Sequence, residues 1–398
     1  MTGPLDGLRV VEMCVHRAGP FCGALLADMG ADVVKVERPG VGDPSRSQGP
    51  APGDADSGYF HALNRNKRSV TLDLKTEAGR EAALDLLSEA DVFVENFGYG
   101  VAERLGVGYG DVRAVNEDVV YASVKGYGKT GPMKEKPGLD LILQAEGGIM
   151  SITGPEGGEP VKVGQAVCDL SAGLFATVGV LARLHERERT GAGGEFDVGL
   201  FDAVVALLNE YPSNHSLTGD VPGPQGTSHQ TLVPYQLFDT ADGRLVTGVP
   251  SDDRWDDFVD AVGCESVREY GTNDERVAHR EEVVGAIQSR LVEEPTAHWT
   301  EVLTEAGFPN GPLNDVADVV AHEQTRARDL VVETEIGGEA CLLPGHPINF
   351  PDHPAVGVRE PGPALGADTD EVFGAVADDQ TTLDEWREGG AFGDGQNG

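Results

Sequence analysis

Two β-branched runs separated by one helical stretch constrain the fold of this chain more than any other feature. LRVVEM (8–13) reads as a buried strand, PFCGALLADMG (20–30) as a helix opened by Pro20 and closed by Gly30, and ADVVKVE (31–37) as a second strand. The order repeats. SVTLDL (69–74), a helix from Thr76 to about Ala90, DVFVENF (91–97), a short helical segment and VVYASVKGYG (119–128) follow in turn. Strands alternating with helices predict a parallel, doubly wound α/β sheet. Helical residues around 170–188 end at TGAGGE, and a further apolar helix is expected over 197–210. Residues 211–234 are rich in Pro, Gly, Ser and Thr without periodicity and predict a linker or mobile loop. PYQLFDTADGRLVTGV predicts a hairpin around Asp242-Gly243 that opens a second unit, and residues 345–371 read as loop-rich.

At 398 residues the chain exceeds one hydrophobic core, which implies two domains. With 67 acidic against 30 basic residues its net charge is −37, yet 39% of it is apolar, so disorder is excluded. Such a surface repels itself in dilute buffer and is screened at molar salt, which points to a high-salt cytoplasm. The same field opposes nucleic acid and anionic membrane as partners. Cys14, Cys22, Cys168, Cys264 and Cys341 form no CxxC pair, and no metal-ligand spacing appears, so neither a disulfide framework nor a metal is expected. The N-terminus lacks a basic region followed by an apolar core, and no apolar run reaches about 18 residues. The chain is expected to be soluble and cytoplasmic.

Charge is unevenly divided. Residues 1–140 hold 16 Lys+Arg and 21 Asp+Glu, a net of −5, and the remainder holds 14 and 46, a net of −32. A near-neutral stretch in so acidic a protein predicts an anionic ligand there. In open α/β sheets ligands sit beyond the C-terminal ends of the strands. Those ends carry Val15, His16, Arg17 and Ala18, then Arg38, Lys75, Asn96 with Phe97, and Lys125. Cations at four of five loops suit a ligand with several phosphates. GxGxxG after a strand, GxxxxGK[ST], GxSxG and HExxH are all absent from the sequence. Cys168 reads as a packed core residue before a nucleophile.

AGPFCGALLADMGADVVKVERPGVGD, NRNKRSVTLDLKTEAGR, ADVFVENFGYGVAERLG, SVKGYGKTGP and the GxxxxD of GQAVCD together resemble the family III CoA-transferases, from Leu5 to about Asp370. The resemblance implies that Asp169 is the catalytic nucleophile, flanked by Gly164 and Gly173 for close backbone approach. It further implies CoA contacts at Val15, Ala18, Arg38, Leu72, Lys75, Asn96, Phe97, Arg104, Lys125 and Lys136, with CoA and acyl-CoA as substrates and no permanently bound cofactor. GDVPGPQGTSHQ (219–230) stands where the family has a glycine-rich flap, which places Gln225 near substrate. The implied architecture is an interlocked homodimer. Its Rossmann-like large domain takes residues 1–210 with 330–398, its lid 211–234 and its smaller α/β domain 235–329.

The racemases related to this family use a His before an Asp in a PGHD-like context, and residues 137–140 here read Pro-Gly-Leu-Asp. Leu139 has no proton to exchange, which favours transfer over two-base racemisation. A CoA-binding protein without turnover is disfavoured because the nucleophile is present. His16, Arg17, Leu139 and Asp140 are candidate substrate contacts, and the cationic pair predicts a C4 or C5 dicarboxylic acid as acceptor with succinyl-CoA as donor.

Overall fold

A computed structural model describes residues 3–393. Six parallel strands form its main sheet: β1 (Arg9–Met13), β2 (Asp32–Glu37), β3 (Arg68–Thr71), β4 (Val92–Glu95), β5 (Val120–Lys125) and β6 (Gly194–Gly199). Their order is β3-β2-β1-β4-β5-β6. Strands are added outward in one direction from β1 to β3 and in the other from β4 to β6, and the loops leaving β1 and β4 open at that switch to form the crevice expected of a doubly wound sheet.

Helices α1 (Ala18–Asp28), α2 (Gly58–Asn64), α3 (Glu77–Ser88), α4 (Val101–Arg104), α5 (Tyr109–Val115), α6 (Asp140–Glu146), α7 (Val167–Thr190) and α8 (Leu200–Leu207) connect or flank the strands. Thr76 caps α3 by accepting from the Gly79 amide, as its hydroxyl allows. One face of the sheet packs Val10, Val33, Val94 and Ala122 against α1 and α7. The other packs Val11, Val34, Val70 and Phe93 against α3 and the C-terminal helices Thr369–Val376 and Gln380–Glu388, through Phe373 and Trp386.

The chain divides into two units. The first comprises the chain up to Ile149, Val163–Pro212 and the chain from Glu323 onward; the second comprises Met150–Lys162 and Ser213–His322. In the second, β7 (Tyr235–Asp239), β8 (Arg244–Gly248) and β9 (Asn310–Pro312) form an antiparallel sheet over a core that includes Phe238, Trp255, Phe258 and Trp299.

Two sequence expectations are corrected. Residues 194–199 are the edge strand β6 rather than the start of a helix, because the alternation in GEFDVG pairs it along β5. The stretch 211–234 is not all loop, since Tyr211–Thr218 is helical with Thr218 and Ser216 hydroxyls bonding back along the turn. Within the C-terminal part, β10 (Val331–Ile336) and β11 (Glu339–Pro344) form a hairpin turned by Gly337 and Gly338, both at positive φ.

Candidate active site

The C-terminal ends of β1, β2, β3 and β4 surround a cavity of about 340 Å³. Val15, Arg38, Leu72, Lys75 and Phe97, five of the residues expected to contact CoA, line it together. Val41, Pro44, Leu74 and Leu105 complete its apolar wall. Arg38 and Lys75 are exposed at its rim and have no acidic side chain within 4.0 Å among the described residues. An apolar cleft with unneutralised cations at its mouth accepts a ligand that is part hydrocarbon or aromatic ring and part phosphate. Asn96 fixes the cleft from β4: its side chain accepts from the Val15 amide at 2.9 Å and donates to the Val15 carbonyl at 2.7 Å.

The loop after β1 continues into a second cluster. His16 adopts a left-handed conformation at φ 64°. Arg17 lies 4.3 Å over the Tyr59 ring and donates to Gln165 Oε1 at 3.3 Å. Ala18 is buried at the start of α1, where the Cβ-free Gly173 of α7 comes so close that an added methyl would sit 2.6 Å from the Ala18 carbonyl. Gly173 therefore serves helix packing, while a Cβ at Gly164 would meet nothing within 4 Å.

Asp169 stands half-buried in the first turn of α7. The preceding turn is organised by α6. Asp140 Oδ1 accepts from the Cys168 amide at 2.8 Å and from the Asp169 amide at 3.4 Å, and Gln144 donates to Asp140 Oδ2 at 2.7 Å. Burial, with the Asp140 charge adding and the Arg17 charge opposing, pushes the Asp169 carboxyl up to about 6. Such a group is still largely ionised at neutral pH and is more nucleophilic than an ordinary carboxylate. Burial, reinforced by Asp140, pushes the neighbouring Cys168 thiol up to about 12, so it does not compete as a nucleophile.

The chain matches CoA-transferase family III over residues 5–369. The chain belongs to this family. It is 40% identical over 374 residues to the succinyl-CoA:mesaconate CoA-transferase of Haloarcula marismortui, covering 90% of this chain and 93% of the relative. It is 38% identical over 371 residues to the mouse succinyl-CoA:glutarate CoA-transferase, covering 91% and 80%. Among solved structures, a CAIB/BAIF family protein from Brucella suis superposes with a TM-score of 0.85 at 34% identity over 95% of this chain and all of that one. A family III chain with these relatives is a CoA-transferase, and CoA thioesters are its substrates.

Several expected contacts of this CoA-transferase lie elsewhere. Lys125 is not a free cation, because its ammonium is buried against Glu95 at 2.6 Å and donates to the Phe97 carbonyl at 2.7 Å. It shapes the loop after β4 rather than facing solvent. Lys136 pairs with Glu146, which also accepts from Tyr127. Arg104 is exposed at the end of α4, beside Leu105 of the cleft. Leu139 is an exposed aliphatic residue preceding α6, and Gln225 belongs to the second unit, where it donates to the Ile152 and Gly223 carbonyls. Tyr59, Gln144 and Gln165 went unmarked in the sequence. Tyr59 and Gln165 meet Arg17 only through contacts distant in the chain, whereas Gln144 reaches Asp140 from the next turn of α6.

Proposed function

We propose that the enzyme moves CoA from succinyl-CoA to a C4 or C5 dicarboxylic acid such as mesaconate, malate or citramalate, with Asp169 as nucleophile. The Asp169 carboxylate attacks the thioester carbonyl; the C–S bond breaks, leaving an aspartyl–succinyl anhydride and CoA thiolate. The thiolate attacks the aspartyl carbonyl and releases succinate, which leaves an aspartyl-CoA thioester. The acceptor carboxylate attacks that thioester to form a second anhydride. CoA thiolate then takes the acceptor acyl group, and the Asp169 carboxylate is regenerated. One thioester is consumed and one is formed over the cycle, so the net exchange requires no external drive.

The observation that carries this reading is the adjacency, along one loop, of the cleft residue Val15 and of Arg17, whose charge acts on Asp169. A guanidinium there suits the distal carboxylate of a diacid. Relatives named for succinyl-CoA with mesaconate, glutarate and D-citramalate support the substrate class. In about 2 M KCl, chosen for the acidic surface, wild type should transfer CoA from succinyl-CoA to dicarboxylic acids in preference to monocarboxylic ones. Arg17→Ala should lose that preference by about tenfold or more, the value of a charge-assisted pair. Equal turnover of both acid classes by wild type and Arg17→Ala would sink the diacid assignment, and solvent exchange at the α-carbon of a 2-methylacyl-CoA without transfer would return the racemase reading.

We also propose a homodimer. Helix α7 is long and apolar enough to cross a membrane by length and composition, yet one side of it packs in the core. Its other side exposes Leu174, Phe175 and Val178, and α6 exposes Leu141 and Ile142. An apolar surface of this kind is covered by a partner chain in a soluble enzyme. Light scattering should give twice the chain mass; a single-chain mass would remove the dimer, and sedimentation with lipid vesicles would assign the face to a membrane.

A further inference from the structure

The β1–α1 loop is held by a carboxylate that the reaction scheme leaves unused. Asp43 is 1% exposed and lies after β2, where Oδ1 accepts from the Ser45 amide at 2.9 Å, from the Ser45 hydroxyl at 2.8 Å and from the His16 amide at 3.1 Å. Its Oδ2 stands 3.0 Å from the Lys35 ammonium. Lys35 in turn contacts Glu12 at 3.0 Å and the Cys14 carbonyl at 2.7 Å, and Glu12 holds Lys67 at 2.7 Å, all four side chains being fully buried. The same Asp43 lines the CoA cleft with Arg38 and Val15.

This network grips the loop at the Cys14 carbonyl through Lys35 and, beside Arg17, at the His16 amide through Asp43. A non-glycine residue at φ 64° is strained and persists only when its surroundings fix it. With Asn96 clamping Val15 and Arg17 lying over Tyr59, the bond from Asp43 decides the direction in which the chain leaves the cleft.

We propose that Asp43 is a positioning residue: by fixing the left-handed turn at His16 it aims Arg17 toward the acceptor acid, and because it also walls the cleft, it couples CoA occupancy to that aim. The kinetic part of this inference rests on the diacid reading above.

Hydrogen exchange and kinetics test it together. In Asp43→Ala, amide exchange of a peptide covering 14–21 should accelerate about tenfold or more, from loss of a charge-assisted hydrogen bond. The acceptor KM should rise by a similar factor for dicarboxylic acids and little for monocarboxylic ones, with kcat changing less, since misplacing Arg17 removes ground-state and transition-state binding alike. In an Arg17→Ala background the same change should add nothing to the acceptor KM. A purely structural role would shift both acid classes and both backgrounds equally. Asp43→Asn keeps an acceptor for the His16 amide and should show smaller shifts in the same direction, which decides the matter if the alanine variant does not fold. If wild type has no diacid preference, the function reading fails on its own, and the exchange data still judge Asp43. Wild-type exchange at 14–21 in the variants overturns the proposal.

Discussion

Asp169→Ala should lower CoA transfer by about a thousandfold or more while leaving CoA bound, because removing a covalent nucleophile leaves only positioning and binding. The cleft lies on other strands, so the variant should retain its affinity for CoA in a direct titration. Mass spectrometry after incubation with succinyl-CoA should find a CoA-sized covalent adduct on wild type and none on the variant. The pH profile is tied to the same group. The attacking form is the carboxylate and its titration is raised to about 6, so the chemical rate constant should fall as pH drops through about 6. An ordinary aspartate would hold its rate nearly two units lower. Undiminished transfer by Asp169→Ala, or a profile flat down to pH 4.5, would falsify the assignment.

Glu12→Ala should strongly destabilise the large unit. Glu12 sits between Lys35 and Lys67 with all three side chains at zero exposure, and removing it leaves two buried ammonium groups with Asp43 as the one remaining carboxylate paired with either among the described residues. Breaking a buried pair from one side costs about 3–5 kcal/mol, which is the expected loss in a denaturant titration followed by the circular dichroism of the sheet. Gly23 has no Cβ for the same reason, since one would lie 1.9 Å from Glu12 Oε2. A loss near 1 kcal/mol for Glu12→Ala would mean that water reaches the lysines and that the network is not closed.

Strands β1–β5 were legible because each is largely buried and centred on apolar residues, whereas the seven-residue helix α2 is too short to show a periodicity and was missed. Edge strand β6 was missed because GEFDVG alternates half-buried and exposed positions and runs straight into α8. The cleft was legible through the rule that ligands sit beyond strand ends, together with the family resemblance. Charge was legible only in sum. Of the charged residues among the first 140, Lys35, Arg46, Arg65, Lys67 and Lys125 are buried, and so are Glu12, Asp28, Glu37, Asp43 and Glu95. The five of each sign cancel, so the net of −5 stands, but fewer cations remain for a ligand than the count of strand-end residues implied. No spacing rule distinguishes Lys125, paired inside, from Lys75, free at the rim, because the difference lies in Glu95 on the neighbouring strand.

The separation of internal from external ions also divides what the surrounding medium can change. Molar salt screens charges that water touches, with a Debye length near 3 Å at about 1 M. It has no access to the Glu12–Lys35–Lys67–Asp43 quartet. A cell that altered its ionic strength would retune the acidic exterior and the attraction of the exposed Arg38 and Lys75 for any anion. The geometry of the loop that faces Asp169 would be left as it was, so the enzyme's affinity is adjustable by its environment and its chemistry is not.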